Sequence, residues 1–96
     1  KNMYVLRYDD GSKDGGFAGN FFTIAKDTRG YWAYNEFSRK GIALRHYSSG
    51  RYEEIGANKA VKLENGDCIY FEMNIVINVG GKDYSFIRMA RFIEEA

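Results

Sequence analysis

Turn-forming residues interrupt this sequence at intervals of roughly 8 to 12 residues, and this spacing limits the folds that the chain can adopt. Turn-forming or polar segments stand at 9–12, 14–20, 27–30, 35–41, 48–50, 65–66 and 80–81. Between them, no segment carries a sustained apolar stripe with the 3.6-residue period of a helix. The pattern therefore predicts an all-β fold, an antiparallel β-sandwich or barrel, and we favour the sandwich.

The strongest strand signal runs from Cys68 to Val79. Six of its apolar residues share one parity, and the other parity is mostly polar: the six are Ile69, Phe71, Met73, Ile75, Ile77 and Val79. This alternation predicts one face in the core and one face mostly in solvent. The tight turn Asn65-Gly66 before it is typical of a β-hairpin between the flanking apolar segments. After the second turn, we expect a partner strand from Tyr84 to Phe92.

Shorter segments with strand-like composition precede these two strands. They are Met3 to Tyr8, Phe21 to Lys26, Tyr31 to Tyr34, Ile42 to Tyr47 and Arg51 to Ile55, the last of which is expected to pair back on its predecessor. The glycine-rich segment from Asp14 to Asn20 predicts a long loop. For Met89 to Ala96, a short helix is the alternative to a continued strand.

Length and composition favour one globular domain spanning residues 1–96. Hydrophobic residues make up 45% of the chain and aromatic residues 17%, which argues against disorder. Because the sequence starts with Lys1, we expect a processed chain or a domain excised from a larger protein. No stretch approaches the ~18 apolar residues of a membrane span. The single cysteine, Cys68, favours a reducing, cytoplasmic compartment.

Charge is unevenly distributed, although the net charge is only +1. Between Lys26 and Arg51, six basic residues stand against the two acidic residues Asp27 and Glu36. This excess favours a basic surface built from the middle third of the chain. Scattered, solvated charge is the alternative.

The sequence lacks the residue sets that catalysis and metal binding need. His46 is the only histidine and Cys68 the only thiol, and no third residue supports them as a nucleophile pair. One histidine and one cysteine do not complete a zinc site, and the segment from Asp9 to Asp14 lacks the spacing of a calcium loop. We therefore expect a protein that is not an enzyme and needs no cofactor or metal.

The segment from Phe37 to Gly41 is the best candidate for a binding loop. Ser38, Arg39 and Lys40 would place a hydroxyl group and two cations side by side, a combination that suits a phosphate or a carboxylate. Lys26 is expected to approach them from the end of the preceding strand. An ordinary polar loop is the alternative.

Three motifs, in this order, resemble those of the forkhead-associated (FHA) domain: Phe22 to Asp27, Phe37 to Ala43 and Leu63 to Phe71. That family is a β-sandwich whose loops at one end bind phosphothreonine peptides. The resemblance implies a partner-binding site formed by residues of these loops: Lys26, Ser38, Arg39, Lys40 and Asn58.

The chain departs from the FHA pattern at the positions that bind phosphate. Ala25-Lys26 replaces the family's Gly-Arg pair, which keeps the charge but loses the guanidinium fork. Gly41 replaces a structural histidine, and Asn58-Lys59 is a partial substitute for an Asn-Gly pair. The resemblance thus implies a degenerate FHA-like module that docks a protein or phosphopeptide, for example during assembly within a larger protein.

Binding of single-stranded nucleic acid is the second hypothesis. Several aromatic residues beside the basic middle segment offer faces on which bases can stack: Phe21, Tyr31, Trp32, Tyr34 and Phe37. Packing in the core is the competing explanation for them. A net charge of +1 also gives little attraction for a polyanion.

Overall fold

A computed structural model describes residues 3–95 of the chain, except for the side chains of residues 73–75, 86 and 87. These residues form eight strands: β1 (Tyr4–Arg7), β2 (Thr23–Asp27), β3 (Gly30–Tyr34), β4 (Ala43–Arg45), β5 (Tyr52–Glu54), β6 (Ala60–Lys62), β7 (Cys68–Val79) and β8 (Lys82–Glu94). A 3-10 turn at Phe17–Asn20 is the one helical element in residues 3–95. Nothing in this range is a helix of the length and hydropathy needed to cross a membrane.

Two antiparallel sheets contain all eight strands. The larger sheet has the order β1-β8-β7-β4-β5 and the smaller one the order β2-β3-β6. β1 pairs with the last strand, so that Tyr4 lies opposite Glu94. β4 and β5 pair across the turn at residues 48–50, as the sequence predicts. The all-β, antiparallel prediction is confirmed.

One apolar core lies between the two sheets, as in a β-sandwich. The larger sheet contributes Leu6, Leu44, Ile69, Phe71, Ala90 and Phe92, the smaller sheet contributes Tyr31 and Ala33, and connecting segments add Phe22, Ile42, Ile55 and Leu63. Aromatic rings pack against one another in this core. The ring centroid of Phe71, for example, lies 5.2 Å from that of Phe22. Alternate residues of each strand reach the core because strand side chains point to opposite faces in turn.

The Asn65-Gly66 turn connects the two sheets and does not close a hairpin. The Asp67 N–H donates to the Glu64 carbonyl at 3.1 Å, and Gly66 has a φ of 94°, as such a turn requires. However, β6 pairs with β3 in the smaller sheet, whereas β7 belongs to the larger one. The predicted hairpin pairing is therefore wrong, because turn chemistry specifies a reversal and not the sheet that follows it.

β7 has the predicted bounds, but its apolar residues do not share one face along its whole length. Ile69 and Phe71 lie in the core between the sheets, whereas Ile77 and Val79 belong to a second apolar cluster that contains Tyr70. The β7–β8 register shifts at residues 73–75. A shift of this kind exchanges the two faces of a strand. The prediction of a single core face is thus wrong for β7.

The segment after Met89 continues β8 as far as Glu94. The helical alternative for this segment is therefore wrong over the described residues, while Ala96 lies outside them. The predicted loop from Asp14 to Asn20 contains the 3-10 turn.

Candidate functional site

The side chain of Asn35, directly after β3, joins two loops that are distant in sequence. Asn35 is fully buried. Its Nδ2 donates to the carbonyls of Arg39, at 2.8 Å, and Ile55, at 2.9 Å, while its Oδ1 accepts from the Arg39 N–H at 2.9 Å. The amide therefore ties residues 35–41 to residues 55–59, and we call these two segments the Asn35 loop pair.

The backbone of Asn35 strengthens the same connection. Its N–H donates to the Lys59 carbonyl at 2.9 Å, and its carbonyl accepts from the Asn58 N–H at 2.9 Å and the Ser38 N–H at 3.4 Å. Buried amide groups that make all their hydrogen bonds hold the surrounding backbone in one arrangement. The loop pair is thus a preorganised surface at one end of the sandwich.

Four of the five predicted site residues lie on the loop pair: Ser38, Arg39, Lys40 and Asn58. All four side chains are exposed. Ser38 and Asn58 adopt left-handed backbone conformations, with φ values of 52° and 57°. Such conformations are uncommon for residues other than glycine and persist where the surrounding structure enforces them. The hydrogen bonds to Asn35 supply that enforcement.

The two cations of the loop differ in their contacts. Arg39 Nη2 donates to the Asn20 carbonyl at 2.9 Å, and its Cζ lies 5.2 Å from the centroid of the Phe21 ring. These contacts hold the guanidinium against the segment before β2. Lys40 is exposed, and no carboxylate of residues 3–95 lies within 4 Å of its ammonium group. Lys40 is therefore the more available cation.

Lys26 is not brought together with Ser38 and Arg39. In the β2–β3 register it pairs with Tyr31, near the opposite end of the hairpin from Asn35. Its Nζ lies 5.2 Å from the centroid of the Tyr31 ring. Three residue steps along β2, or about 10 Å, separate it from Thr23, at the end of the strand that adjoins the loop pair.

Sequence reasoning missed Asn35 and gave Phe37 a different role on this surface. An asparagine after a strand indicates a turn, but only the fold reveals that this one is buried. Phe37 retains 49% of its exposure and was grouped with the aromatic residues for stacking. On the loop pair it is an apolar side chain next to Ser38.

The basic residues of the middle third are distributed over three places. Lys26 and Arg29 flank the β2–β3 turn, Arg39 and Lys40 belong to the loop pair, and Arg45 and Arg51 flank the β4–β5 turn. Arg29 also pairs with Asp27 at 3.4 Å. This placement corresponds to the scattered alternative rather than to one basic surface.

The five aromatic residues proposed for stacking are also divided. Tyr31 is buried, and the Phe21 ring lies 5.1 Å from that of Phe71. Trp32 and Tyr34 lie on the outer face of the smaller sheet, where they line a hollow of about 390 Å³ with Ala25 and Ala60, among others. Arg29 packs on the Trp32 ring, with its Cζ 4.9 Å from the centroid.

His46 and Cys68 make separate contacts. His46 Nε2 is 2.8 Å from Glu53 Oε1, and the contact of the Cys68 sulfur is the Gly66 carbonyl at 3.8 Å. Burial raises the pKa of the Cys68 thiol. A raised pKa disfavours the thiolate that nucleophilic chemistry needs.

A hollow of about 700 Å³ lies open between β1 and β2. The Asp14 carboxylate in its lining already accepts hydrogen bonds from the Tyr8 hydroxyl and from the N–H groups of Gly16 and Ala18. A binding pocket needs polar groups that converge on a ligand. Asp14 instead organises its own loop.

Comparisons with protein-family models, with curated proteins and with solved structures each found no match. The resemblance to the FHA family therefore rests on the three sequence motifs. The loop pair provides the structural basis for a functional hypothesis.

Proposed function

We propose that this protein is a non-catalytic interaction module that docks a protein partner on the Asn35 loop pair. The observation that carries the proposal is the buried Asn35 amide, which fixes two loops in one surface. That surface presents an apolar ring, Phe37, beside the polar groups of Ser38, Lys40 and Asn58. Preorganised surfaces lose little conformational entropy on binding, and buried aromatic residues contribute much of the affinity of an interface.

The placement of the cations favours docking that does not depend on phosphate. Tight phosphate recognition uses bidentate guanidinium contacts. Arg39 already donates to the Asn20 carbonyl and packs on Phe21, and Lys26 lies away from the loop pair. Lys40 alone is a point charge without a fork. The module therefore corresponds to an FHA-like domain that is degenerate for phosphothreonine and serves as a scaffold.

The proposal is tested by NMR titration of the ¹⁵N-labelled protein with a phosphothreonine peptide library and its unphosphorylated twin. We expect both libraries to shift the amide signals of residues 36–40 and 57–59. The double variant Phe37→Ala, Lys40→Ala should lose these shifts. Tyr47→Ala, which removes an aromatic ring that is 70% exposed beyond the far end of β4, should retain them.

Two results would contradict phosphate-independent docking. Shifts that require the phosphate and vanish in Arg39→Ala would establish a surviving phosphopeptide site. With the unphosphorylated library, shifts confined to residues outside the loop pair would remove the loop pair as the docking surface for peptide segments, as would the absence of shifts with either library.

One observation favours a second candidate, binding of single-stranded nucleic acid. Trp32 and Tyr34 share the outer face of the smaller sheet, with the basic residues Lys26 and Arg29 at the same hollow. Aromatic rings beside cations are the usual platform for unpaired bases. Because Trp32 is the only tryptophan, its fluorescence reports on this face. Salt-dependent quenching by oligothymidine that Tyr34→Ala abolishes would support this candidate over docking.

A further inference from the structure

Three arginines form a row across the larger sheet, at the opposite end of β4 from the loop pair. Arg7 pairs with Arg91, Arg91 with Cys68, and Cys68 with Arg45 on the successive strands β1, β8, β7 and β4. Directly opposed residues of neighbouring strands point to the same face of a sheet. We call Arg7, Arg91 and Arg45 the arginine row.

The positive charge of the arginine row is not neutralised by ion pairs. No carboxylate of residues 3–95 lies within 4 Å of these three guanidinium groups. Arg91 Nη1 donates to the uncharged Gly66 carbonyl at 2.7 Å, and Arg7 Nη1 donates to the Gly11 carbonyl at 2.8 Å. Like charges directly opposite each other destabilise a sheet. A bound anion would remove this cost.

Arg45 and Arg91 line the same hollow, of about 130 Å³, together with Tyr47, Gly66 and Cys68. This volume is several times the ~30 Å³ that one water molecule occupies in the liquid. Arg45 is exposed and lies over Tyr52, with its Cζ 5.8 Å from the ring centroid. The hollow thus has room for a small anion between two cationic walls.

The electrostatics of Cys68 agree with this geometry. Burial raises the pKa of its thiol, whereas the guanidinium groups of Arg91 and Arg45 both lower it. The carboxylates of Asp67 and Asp9 have smaller, opposite effects on the Cys68 pKa. Both guanidinium groups therefore act on the Cys68 thiol, which lines the hollow. Together they lower its pKa by more than the two carboxylates raise it.

Asp67 does not fill the hollow as an internal anion. Its carboxylate is buried and accepts from the backbone N–H of Tyr47 at 2.9 Å and of Glu64 at 2.8 Å. These bonds fix the backbone at Tyr47 and at Glu64, in the two segments that border the hollow. Asp67 therefore positions the segments around the hollow, and backbone N–H groups stabilise its negative charge.

We propose that the hollow between Arg45 and Arg91 binds a tetrahedral oxyanion, namely a phosphate group. Guanidinium groups present planar forks that match phosphate oxygens, and two of them hold an anion in a defined orientation. A neighbouring hollow of about 500 Å³ shares Tyr47, Gly66 and Arg91 and adds Asn65 and Ile93. It has room for the molecule that carries the phosphate.

The test is an NMR titration of the ¹⁵N-labelled protein at pH 7, with ionic strength kept constant by sodium chloride. One arm uses inorganic phosphate, and the other uses a tripeptide with a central phosphoserine beside its serine twin. We expect saturable shifts at millimolar phosphate in the amides of Tyr47, Gly66 and Cys68 and in the Nε–H groups of Arg45 and Arg91. Response to inorganic phosphate alone assigns the site to the free ion, whereas a response to the phosphoserine peptide as well assigns it to a phosphorylated ligand.

Matched variants separate a site from general attraction. Arg45→Gln should weaken phosphate binding at least about tenfold, because charge-assisted hydrogen bonds are lost. Arg51→Gln removes the same charge from another exposed arginine of the β4–β5 hairpin and should change the affinity less than about twofold. Equal loss in both variants, equal shifts with chloride alone, or shifts confined to residues 38–40 would overturn the proposal. A phosphoserine peptide that binds no better than its serine twin would exclude the phosphorylated ligand.

Discussion

At the scale of single residues, Asn35 explains how two loops that are distant in sequence come to share one surface. The residue types of Ser38, Arg39 and Lys40 are visible in the sequence, and a hydroxyl group beside two cations predicts an exposed polar loop. The role of Asn35 is not visible there, because it depends on the carbonyl of Ile55, which lies 20 positions away. The candidate site could thus be predicted in composition but not in its organisation.

Replacing Asn35 with alanine should destabilise the protein by about 2 to 4 kcal/mol. The change leaves the buried N–H and carbonyl groups of the loop pair without their partners, and each such group costs about 1 to 3 kcal/mol. Urea denaturation followed by circular dichroism measures the loss. Asn78→Ala removes an exposed amide that bonds Asp83 and Gly81 and should cost under about 1 kcal/mol. Equal costs for the two variants would contradict the role of Asn35.

Gly66→Ala should destabilise the protein by about 1 to 3 kcal/mol. A Cβ atom at Gly66 would lie 2.9 Å from Cγ of Tyr47, and the φ of 94° is unfavourable for alanine. Gly15→Ala is the matched control, because an added Cβ there meets nothing within 4 Å and its φ is not positive. The same urea experiment should show a change within about 0.5 kcal/mol for the control. A tolerated Gly66→Ala would mean that the turn and Tyr47 rearrange easily.

At the scale of elements, the β7–β8 hairpin shows that apolar periodicity predicts the bounds of a strand but not which of its faces is buried along its whole length. The bounds of β7 follow from its apolar alternation and from the turns on either side. The exchange of its faces follows from a register shift against Phe86 of β8. Such a shift depends on how two strands pair, so the spacing of apolar residues within one strand does not reveal it. Ile69 and Ile77 therefore share a parity in the sequence but pack in different clusters.

Because the second apolar cluster contains Tyr70, the stability of the protein should depend on pH in the alkaline range. Burial, and then a hydrogen bond with Tyr52, raise the pKa of Tyr70 from 10.0 to about 12. Above pH 10 the unfolded chain releases this proton while the folded protein retains it. The free energy of unfolding should therefore fall as the pH rises from about 10 to about 12.

Ultraviolet absorbance of tyrosinate checks this expectation. Titration of the folded protein should contain a component near pH 12. The hydrogen bond of Tyr84 with Glu54 also raises the pKa of Tyr84 to about 12. Tyr70→Phe should therefore reduce that component without removing it, and it should reduce the loss of stability between pH 10 and 12. Tyr47→Phe, an exposed control, should leave it in place. A late component of undiminished amplitude in Tyr70→Phe would contradict its assignment to Tyr70.

At the scale of the whole molecule, the turn spacing was sufficient to predict the fold class, and it was not sufficient to predict the topology. Strands in a sandwich are ordered by contacts between distant residues, such as the pairing of β3 with β6. The segment at Asn65-Gly66 illustrates the difference. Its residues correctly predict a turn, but they do not predict that the strands on its two sides belong to different sheets. The resulting fold places the loop pair and the arginine row at opposite ends of β4.

Because of this separation, the effects of changes at the two ends should be additive. Asn35 and Gly66 flank opposite ends of β6 and share no hydrogen-bond partner among the described residues. The unfolding cost of the double variant Asn35→Ala, Gly66→Ala should equal the sum of the single costs within about 0.5 kcal/mol. Urea denaturation of the four proteins completes the cycle. A deviation above about 1 kcal/mol would indicate that the ends communicate through the core.

The pairing of β1 with β8 has a consequence for the route by which the chain folds. The β7–β8 and β2–β3 hairpins close short loops, whereas the pairing of Tyr4 with Glu94 joins residues that are 90 positions apart in the sequence. Chains dominated by such distant pairings fold in milliseconds to seconds. β1 is thus expected to join the sheet after the hairpins have formed, so that substitutions in it accelerate unfolding far more than they slow folding.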